Sequence, residues 1–336
     1  MPGFDALIGQ ERPVARLKTL LCRGAVPHAL LFCGIEGVGK AQAALLLAMA
    51  LNCGAPAARA AGAGPCGECR ACRNLQAGQH PDLLTVAPEG PLIRVAQVRQ
   101  LCASLAMKPY AARTRVVIIK DARAMNPEAG NALLKVLEEP PDRTVLILLA
   151  TQTADLLPTI VSRCQHLRFG PIVRRCLQTL LTERHGVAPG AAEIAAAMSG
   201  GSLTRALRFS QADWIARRDW LIAAIGLDRP ETLSSRPLDV LLAVAEKLAG
   251  HKAWIPEALD LIVAWLRDLL VFRHAPARLI NQDRAALLGR ASGRMTDEAL
   301  LQRIQAVGSA RSHIEANLNA RLVLERLMLQ LAGRLT

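Results

Sequence analysis

Aromatic side chains are scarce: one tyrosine, four tryptophans and five phenylalanines make up 3% of 336 residues. A surface that reads single-stranded bases needs several rings along a basic track, so the composition argues against a stacking platform and leaves any DNA contact to backbone and shape. No uninterrupted apolar run is long enough to span a bilayer. Residues 1–5 have neither the basic nor the apolar region of a secretory signal, so a soluble cytoplasmic chain with no membrane partner is expected. Acidic residues are in deficit, 28 against 41 Lys and Arg, for a formal charge of +13. That balance fits work beside a polyanion, and equally an Arg-rich codon bias. In a reducing compartment, nine cysteines pose a metal question before a disulfide question.

The length suggests two or three domains. Residues 11–23 read as a helix with Val14, Leu17, Leu20 and Leu21 on one face, and residues 27–33 as a buried strand. That strand runs into Gly34-Ile35-Glu36-Gly37-Val38-Gly39-Lys40-Ala41, followed by a helix to Asn52. A strand, a glycine loop and a helix N-terminus converge backbone N–H groups on phosphates, while Lys40 supplies a point charge. The cofactor expected there is ATP or ADP, held by Gly34, Gly37, Gly39 and Lys40. The last position departs from the pattern, because Ala41 stands where a Ser or Thr hydroxyl would hold Mg²⁺. The plainer reading of the loop is a relic that only turns the chain.

Beyond the helix the chain turns to Ala, Gly and Pro, and four cysteines fall in or beside this stretch. Cys66, Cys69 and Cys72 have C-x-x-C-x-x-C spacing, and Cys53 at the helix end can supply a fourth sulfur. Four thiolates make a closed tetrahedral Zn²⁺ site, structural rather than catalytic, in a loop poor in apolar residues. A ferredoxin-type cluster would need a further Cys-Pro, which Arg73 to Gln76 do not supply. Free thiols remain the third reading. His80 reads as a loop residue, and Cys22, Cys33, Cys102, Cys164 and Cys176 read as small core residues.

Residues 115–164 carry the most specific pattern. Residues 115–121 are a short apolar run ending in a carboxylate, a buried strand whose tip delivers Asp121, and residues 131–139 repeat leucines at helical spacing up to Pro140-Pro141. Residues 144–150 form another buried strand ending at Thr151, and Ser162-Arg163-Cys164 closes the unit. Asn-Ala-Leu-Leu-Lys-x-Leu-Glu-Glu-Pro-Pro, then a strand with Ala-Thr, then Ser-Arg-Cys, resembles the clamp-loader branch of the AAA+ ATPases.

The resemblance implies an α/β AAA+ P-loop domain with a parallel sheet over residues 1–169, interrupted by the cysteine module at about 53–75. It further implies a helical lid over 170–209 and an all-α collar over 210–336. Ile8-Gly9-Gln10 resembles the segment covering the adenine, and Asp121 and Thr151 would border the nucleotide. Active members follow the strand-tip Asp with a water-polarising Glu, whereas Ala122 stands here. Their lid arginine falls at Thr204, with Arg205 about 100° further round the helix. These departures imply a subunit that does not hydrolyse ATP itself. Arg163 sits where the family displays an arginine finger acting on a neighbour's ATP; its plainer reading is a surface or internal salt bridge. Implied partners are gamma or tau and delta subunits, and through them the beta clamp and primed DNA. The rivals are a working gamma- or tau-type motor and a zinc-dependent DNA adaptor.

From residue 213 onward the sequence reads as helices broken near 226–230, 275–276 and 292–293. Leu259, Ile262, Leu266 and Leu270 form one apolar stripe, and Leu318, Leu322 and Leu329 another.

Overall fold

A computed structural model describes residues 3–55, 64–211 and 213–335. Part of the expected cysteine module, 56–63, lies outside the described residues, as do Met1, Pro2 and Thr336. The chain divides into two compact units. The first runs to His185 and takes up Ser199–Ala206, and the second comprises Gly186–Met198 and everything from Leu207 onward.

The first unit is built on five parallel strands: β1 (Ala29–Cys33), β2 (Leu83–Val86), β3 (Arg115–Ile119), β4 (Thr144–Ala150) and β5 (Gln165–Arg168). Their order across the sheet is β2-β3-β4-β1-β5. Every residue of β1, β3 and β4 is buried, as inner parallel strands covered on both faces require, while β2 and β5 expose residues at the edges. The two-residue period divides the strands between two cores. Leu30, Phe32, Val116, Ile118, Val145 and Ile147 pack on one face with α1 (Glu11–Cys22) and α2 (Lys40–Asn52). Leu31, Val117, Ile119, Leu146 and Leu148 pack on the other, with helices Val95–Leu105 and Pro127–Glu138. Register pairs Cys33 with Ala150 and Ile119 with Leu148, so the loops after β1, β3 and β4 leave the sheet at its carboxyl edge, where α/β folds bind ligands.

Helix ends follow the sequence. Asn126 caps Pro127–Glu138 by accepting the Ala129 N–H at 3.0 Å, with Pro127 in the first turn, where its missing N–H costs nothing. At the opposite edge of the sheet, buried Asp82 accepts the N–H groups of Tyr110, Ala111 and Ala112 at 2.8–2.9 Å. Arg115, 3.4 Å from Asp82, donates to the carbonyls of Ser104, Met107 and Lys108. Residues 107–112 are thereby fixed although they form no regular element.

The second unit is helical, with Asp213–Ile225, Leu238–Gly250, Ile255–His274, Ala285–Ser292, Asp297–Glu315 and Ala320–Leu331 separated at the three expected breaks and at two that were not expected, 251–254 and 316–319. Leu259, Ile262 and Leu266 are buried as the stripe requires, and Leu270 is half-buried. The terminal stripe is different: Leu318 and Leu322 are exposed, and the buried face is Val323, Leu324, Leu327, Met328 and Leu331. Asn319 accepts the N–H groups of Arg321 and Leu322, which starts the helix at Ala320 and leaves Leu318 before it. Among the described residues no helix is long and apolar enough to cross a membrane.

Candidate functional site

The glycine loop leaves β1 at Gly34, whose N–H donates to the carbonyls of Ala150 and Thr151 at 3.2 and 3.0 Å and so ties the loop to the end of β4. Thr151 thus takes part through its backbone, beside the loop. Gly37 and Gly39 have φ of 78° and 97°, a left-handed conformation that glycine adopts without strain. Gly39 caps α2, and Lys40 and Ala41 form its first turn.

The phosphate side of the loop is already engaged. Lys40 Nζ donates to the carbonyls of Gly34 and, at 2.8 Å, Ile35. Burial lowers the pKa of this ammonium, and Glu36, Cys33 and Asp121 partly restore it. The Leu203 N–H donates to the Gly37 carbonyl at 2.9 Å. A Cβ on Gly37 would collide with the hydroxyls of Ser202 and Thr204. Residues 202–204 therefore sit directly on the loop. Arg205 faces inward only in part, with its backbone N–H bonded to Ser202 Oγ at 3.2 Å.

Asp121 follows β3 with φ 49°, and its carboxylate pairs with Arg123 Nε at 2.9 Å. It is near enough to Lys40 to act on it electrostatically. Ala122 is fully buried in the core beneath the sheet. A glutamate at this position would have to place a carboxylate among apolar side chains, which is strongly unfavourable without a partner.

Arg163 follows the short helix Pro158–Val161 and is exposed. Its guanidinium pairs with Glu138 Oε1 at 2.6 Å and donates to the Thr159 carbonyl at 2.9 Å. Glu138, at the end of the leucine helix, is the partner that the sequence pattern did not reveal.

The four module cysteines come together, with sulfurs all within 4.8 Å of one another. Cys53 caps α2 at its C-terminus, Cys69 caps helix Arg70–Gln76, and Cys72 lies in that helix's first turn. Sulfurs accept N–H groups throughout: Gly54 and Cys72 donate to Cys69 at 3.4 and 3.5 Å, and Cys69 donates to Cys66 at 3.4 Å. The Cys69 N–H, with that of Glu68, pulls Cys66 below the ordinary thiol range. Burial pushes Cys69 up, but its N–H donors and neighbouring thiols outweigh this and bring it to about 6. Burial pushes Cys72 well up. The cluster is a ready set of soft donors able to hold a metal ion. His80 lies outside it, buried with Nδ1 accepting the Asp82 N–H at 3.2 Å. Of the cysteines read as core, Cys33 is buried, Cys102, Cys164 and Cys176 are half-buried, and Cys22 is exposed. Cys22 ends α1 on the solvent side of its stripe, which corrects the expectation.

Two family profiles match the chain. One described as "DNA polymerase III, delta subunit" matches residues 9–173, and another described as "DNA polymerase III, delta subunit, C terminal" matches residues 213–333. The DNA polymerase III subunit delta' of Bacillus subtilis is 30% identical over 96% of both chains. That of Pseudomonas aeruginosa is 34% identical over 91% of this chain and 92% of its own. A DNA polymerase III gamma subunit-related protein of Thermotoga maritima, known from a crystal structure, aligns over 96% of this chain and 99% of its own at 19% identity, with a TM-score of 0.44.

Proposed function

The chain belongs to the family of DNA polymerase III delta-prime subunits, and on that premise we propose that it is a non-hydrolysing AAA+ subunit of a clamp loader. In this reading it joins gamma or tau and delta subunits in the cytoplasm and helps place the beta clamp on primed DNA. The observation that carries the non-hydrolysing role is the pair of alanines at the two positions hydrolysis needs. Ala41 offers no hydroxyl for Mg²⁺, and Ala122 is sealed in the core where a water-polarising carboxylate would stand. The engagement of Lys40 by loop carbonyls and of Gly37 by Leu203 supports the same conclusion.

Its chemistry is then exerted on a neighbour. Arg163 is exposed beyond the sheet edge and would swing off Glu138 to neutralise charge on the γ-phosphate of ATP bound by the adjacent subunit. Replacing it tests the proposal: Arg163→Ala should leave the chain folded and depress clamp- and DNA-stimulated ATP turnover of the reconstituted loader. Unchanged turnover in the full assembly would refute the trans role. The internal pair with Glu138 favours one competing reading, that Arg163 only fastens its loop to the leucine helix.

Zinc is the ion that the cysteine cluster fits. Four sulfurs bound tetrahedrally to one Zn²⁺ stand roughly 3.8 Å apart, and Cys66 and Cys72 are 3.9 Å apart. Cys53, Cys66, Cys69 and Cys72 would hold it, leaving no open position, so the ion would supply only a cross-link between the end of α2 and the following helix. The second unit would serve as a collar, a role supported by Leu301 and Leu322, which remain exposed on its last two helices, and by exposed Leu318 between them.

A further inference from the structure

The chain has four tryptophans, and three of them meet at one place in the second unit. Trp220 and Trp254 line a cavity of about 720 Å³, and Trp214 and Trp254 line one of about 420 Å³ beside it. Asp213, Arg217, Ala253 and Trp254 border both, so the two adjoin, and each is of a size that takes small ligands. The Trp220 and Trp254 rings lie 5.9 Å apart, tilted by 41°, and each is half-buried. Scarcity of aromatics argues against a stacking platform spread along the chain, but the fold gathers its few rings here.

Charge is gathered with them. Arg208, Arg217, Lys247 and Lys252 line the groove against two carboxylates, Asp213 and Glu257. The carboxylates neutralise little: Arg217 is 3.6 Å from Asp213 and Arg208 is 3.7 Å from Glu257, both at the surface. Exposed pairs of this kind contribute little and exchange readily for a phosphate. Lys247 Nζ rests 4.0 Å above the Trp220 ring, the position a cation takes over a π face. The Trp214 side chain is 7% exposed, and its indole N–H has no acceptor among the described residues. A buried donor without a partner is unfavourable.

We propose that this groove binds single-stranded nucleic acid, with a base stacked at the Trp220–Trp254 pair and flanking phosphates held by Lys247, Lys252 and Arg217. Ring faces beside a cluster of cations are the elements of non-specific strand binding, and Lys247, which covers one face of Trp220 in the free chain, would move onto a phosphate as a base takes its place. An acidic peptide would use the cations but would leave the flat faces without a reason. The site belongs wholly to the second unit and requires neither the nucleotide loop nor Arg163.

The test uses the full chain and a labelled oligothymidylate of about twenty nucleotides at low salt, read by anisotropy and by quenching of tryptophan fluorescence. Saturable binding with quenching is expected. A strand of equal length with abasic sites should bind at least about fivefold more weakly, since stacking accounts for the difference. Trp220→Ala and Trp220→Leu should each weaken binding about tenfold. Lys247→Ala with Lys252→Ala should flatten the salt dependence by about 0.7 for each phosphate no longer neutralised. Equal affinity for the abasic strand, or Trp220 variants that melt normally and bind normally, would overturn the proposal. So would absence of binding, or capture of a phenylalanine-bearing acidic peptide where the oligonucleotide is ignored. Should both Trp220 variants melt early, the abasic comparison on the unaltered protein decides.

Discussion

Arg163 has two candidate partners, Glu138 within the chain and a phosphate on a neighbour, and removing Glu138 separates them. The internal pair is close, 2.6 Å, but its side chains are 36% and 50% exposed. Exposed ion pairs contribute about 0–1 kcal/mol because water screens them and two long side chains must be held in place. An arginine finger is worth roughly 10³ to 10⁵ in rate, or about 4–7 kcal/mol at 1.36 kcal/mol per decade. Breaking the internal contact is therefore a small loss beside the gain, and the pair should behave as a parking place. Glu138→Ala should shift the melting temperature by no more than about 4 °C, given about 2–4 °C per kcal/mol for a unit of this size. In the reconstituted loader it should leave stimulated ATP turnover within about twofold of wild type, while Arg163→Ala lowers it by about a hundredfold or more. Turnover measured with primed DNA and clamp present is the readout. If Glu138→Ala lowers turnover as far as Arg163→Ala does, the arginine acts by fastening its own loop, and the trans role fails.

Other consequences can be measured on the purified chain. Asp82→Asn replaces a carboxylate that accepts three backbone N–H groups and faces Arg115, and chemical unfolding should show a loss of about 2–4 kcal/mol at neutral pH. Burial pushes the Asp82 pKa up, but those N–H groups and Arg115 lower it overall. Its stabilisation is thus complete above the unfolded value of about 3.9 and lost as pH falls through the lower folded value, so the gap between wild type and Asp82→Asn should close in acid. A gap that stays constant down to the acid transition would refute this account. Elemental analysis should find about one zinc per chain, and Cys72→Ser or a strong chelator should lower the first unit's melting temperature by several degrees; iron, or no metal, would count against the four-sulfur site. Phosphate release from ATP should match between wild type and Lys40→Ala, and clear turnover abolished by the substitution would overturn the non-hydrolysing role.

What the sequence made legible is what local periodicity and spacing encode. The run of apolar residues after Pro27 and the glycines after Cys33 define β1 and its loop. The helix from Lys40 to Asn52 falls where expected, and the spacing of Cys66, Cys69 and Cys72 reports a cluster that Cys53 completes. Contacts between distant segments left no such trace. Nothing near Leu203 announces that its N–H closes on Gly37, and nothing near Asp82 announces that it gathers residues 110–112. Those pairings follow from which strands become neighbours, and a sheet in the order β2-β3-β4-β1-β5 puts distant loops side by side.

The terminal helix shows why periodicity alone can mislead. Leu318, Leu322 and Leu329 are spaced as one face of a helix, and so are Val323, Leu324, Leu327, Met328 and Leu331. Both sets satisfy the same repeat, so hydrophobic spacing establishes a helix without saying which stripe is inside. The cap fixes only the start: with Asn319 bonded to the N–H groups of Arg321 and Leu322, regular turns begin at Ala320, and Leu318 precedes the helix. The helix then packs on Leu238–Gly250 and buries the second set, leaving Leu322 outside. An apolar residue held in solvent at a fixed place on a rigid helix costs the monomer solubility without adding to its core. The proposed collar role would cover it with another surface, so Leu322→Glu should leave the monomer's melting temperature unchanged and weaken co-purification with gamma or tau. Normal assembly by that variant would remove the terminal helix from the interface.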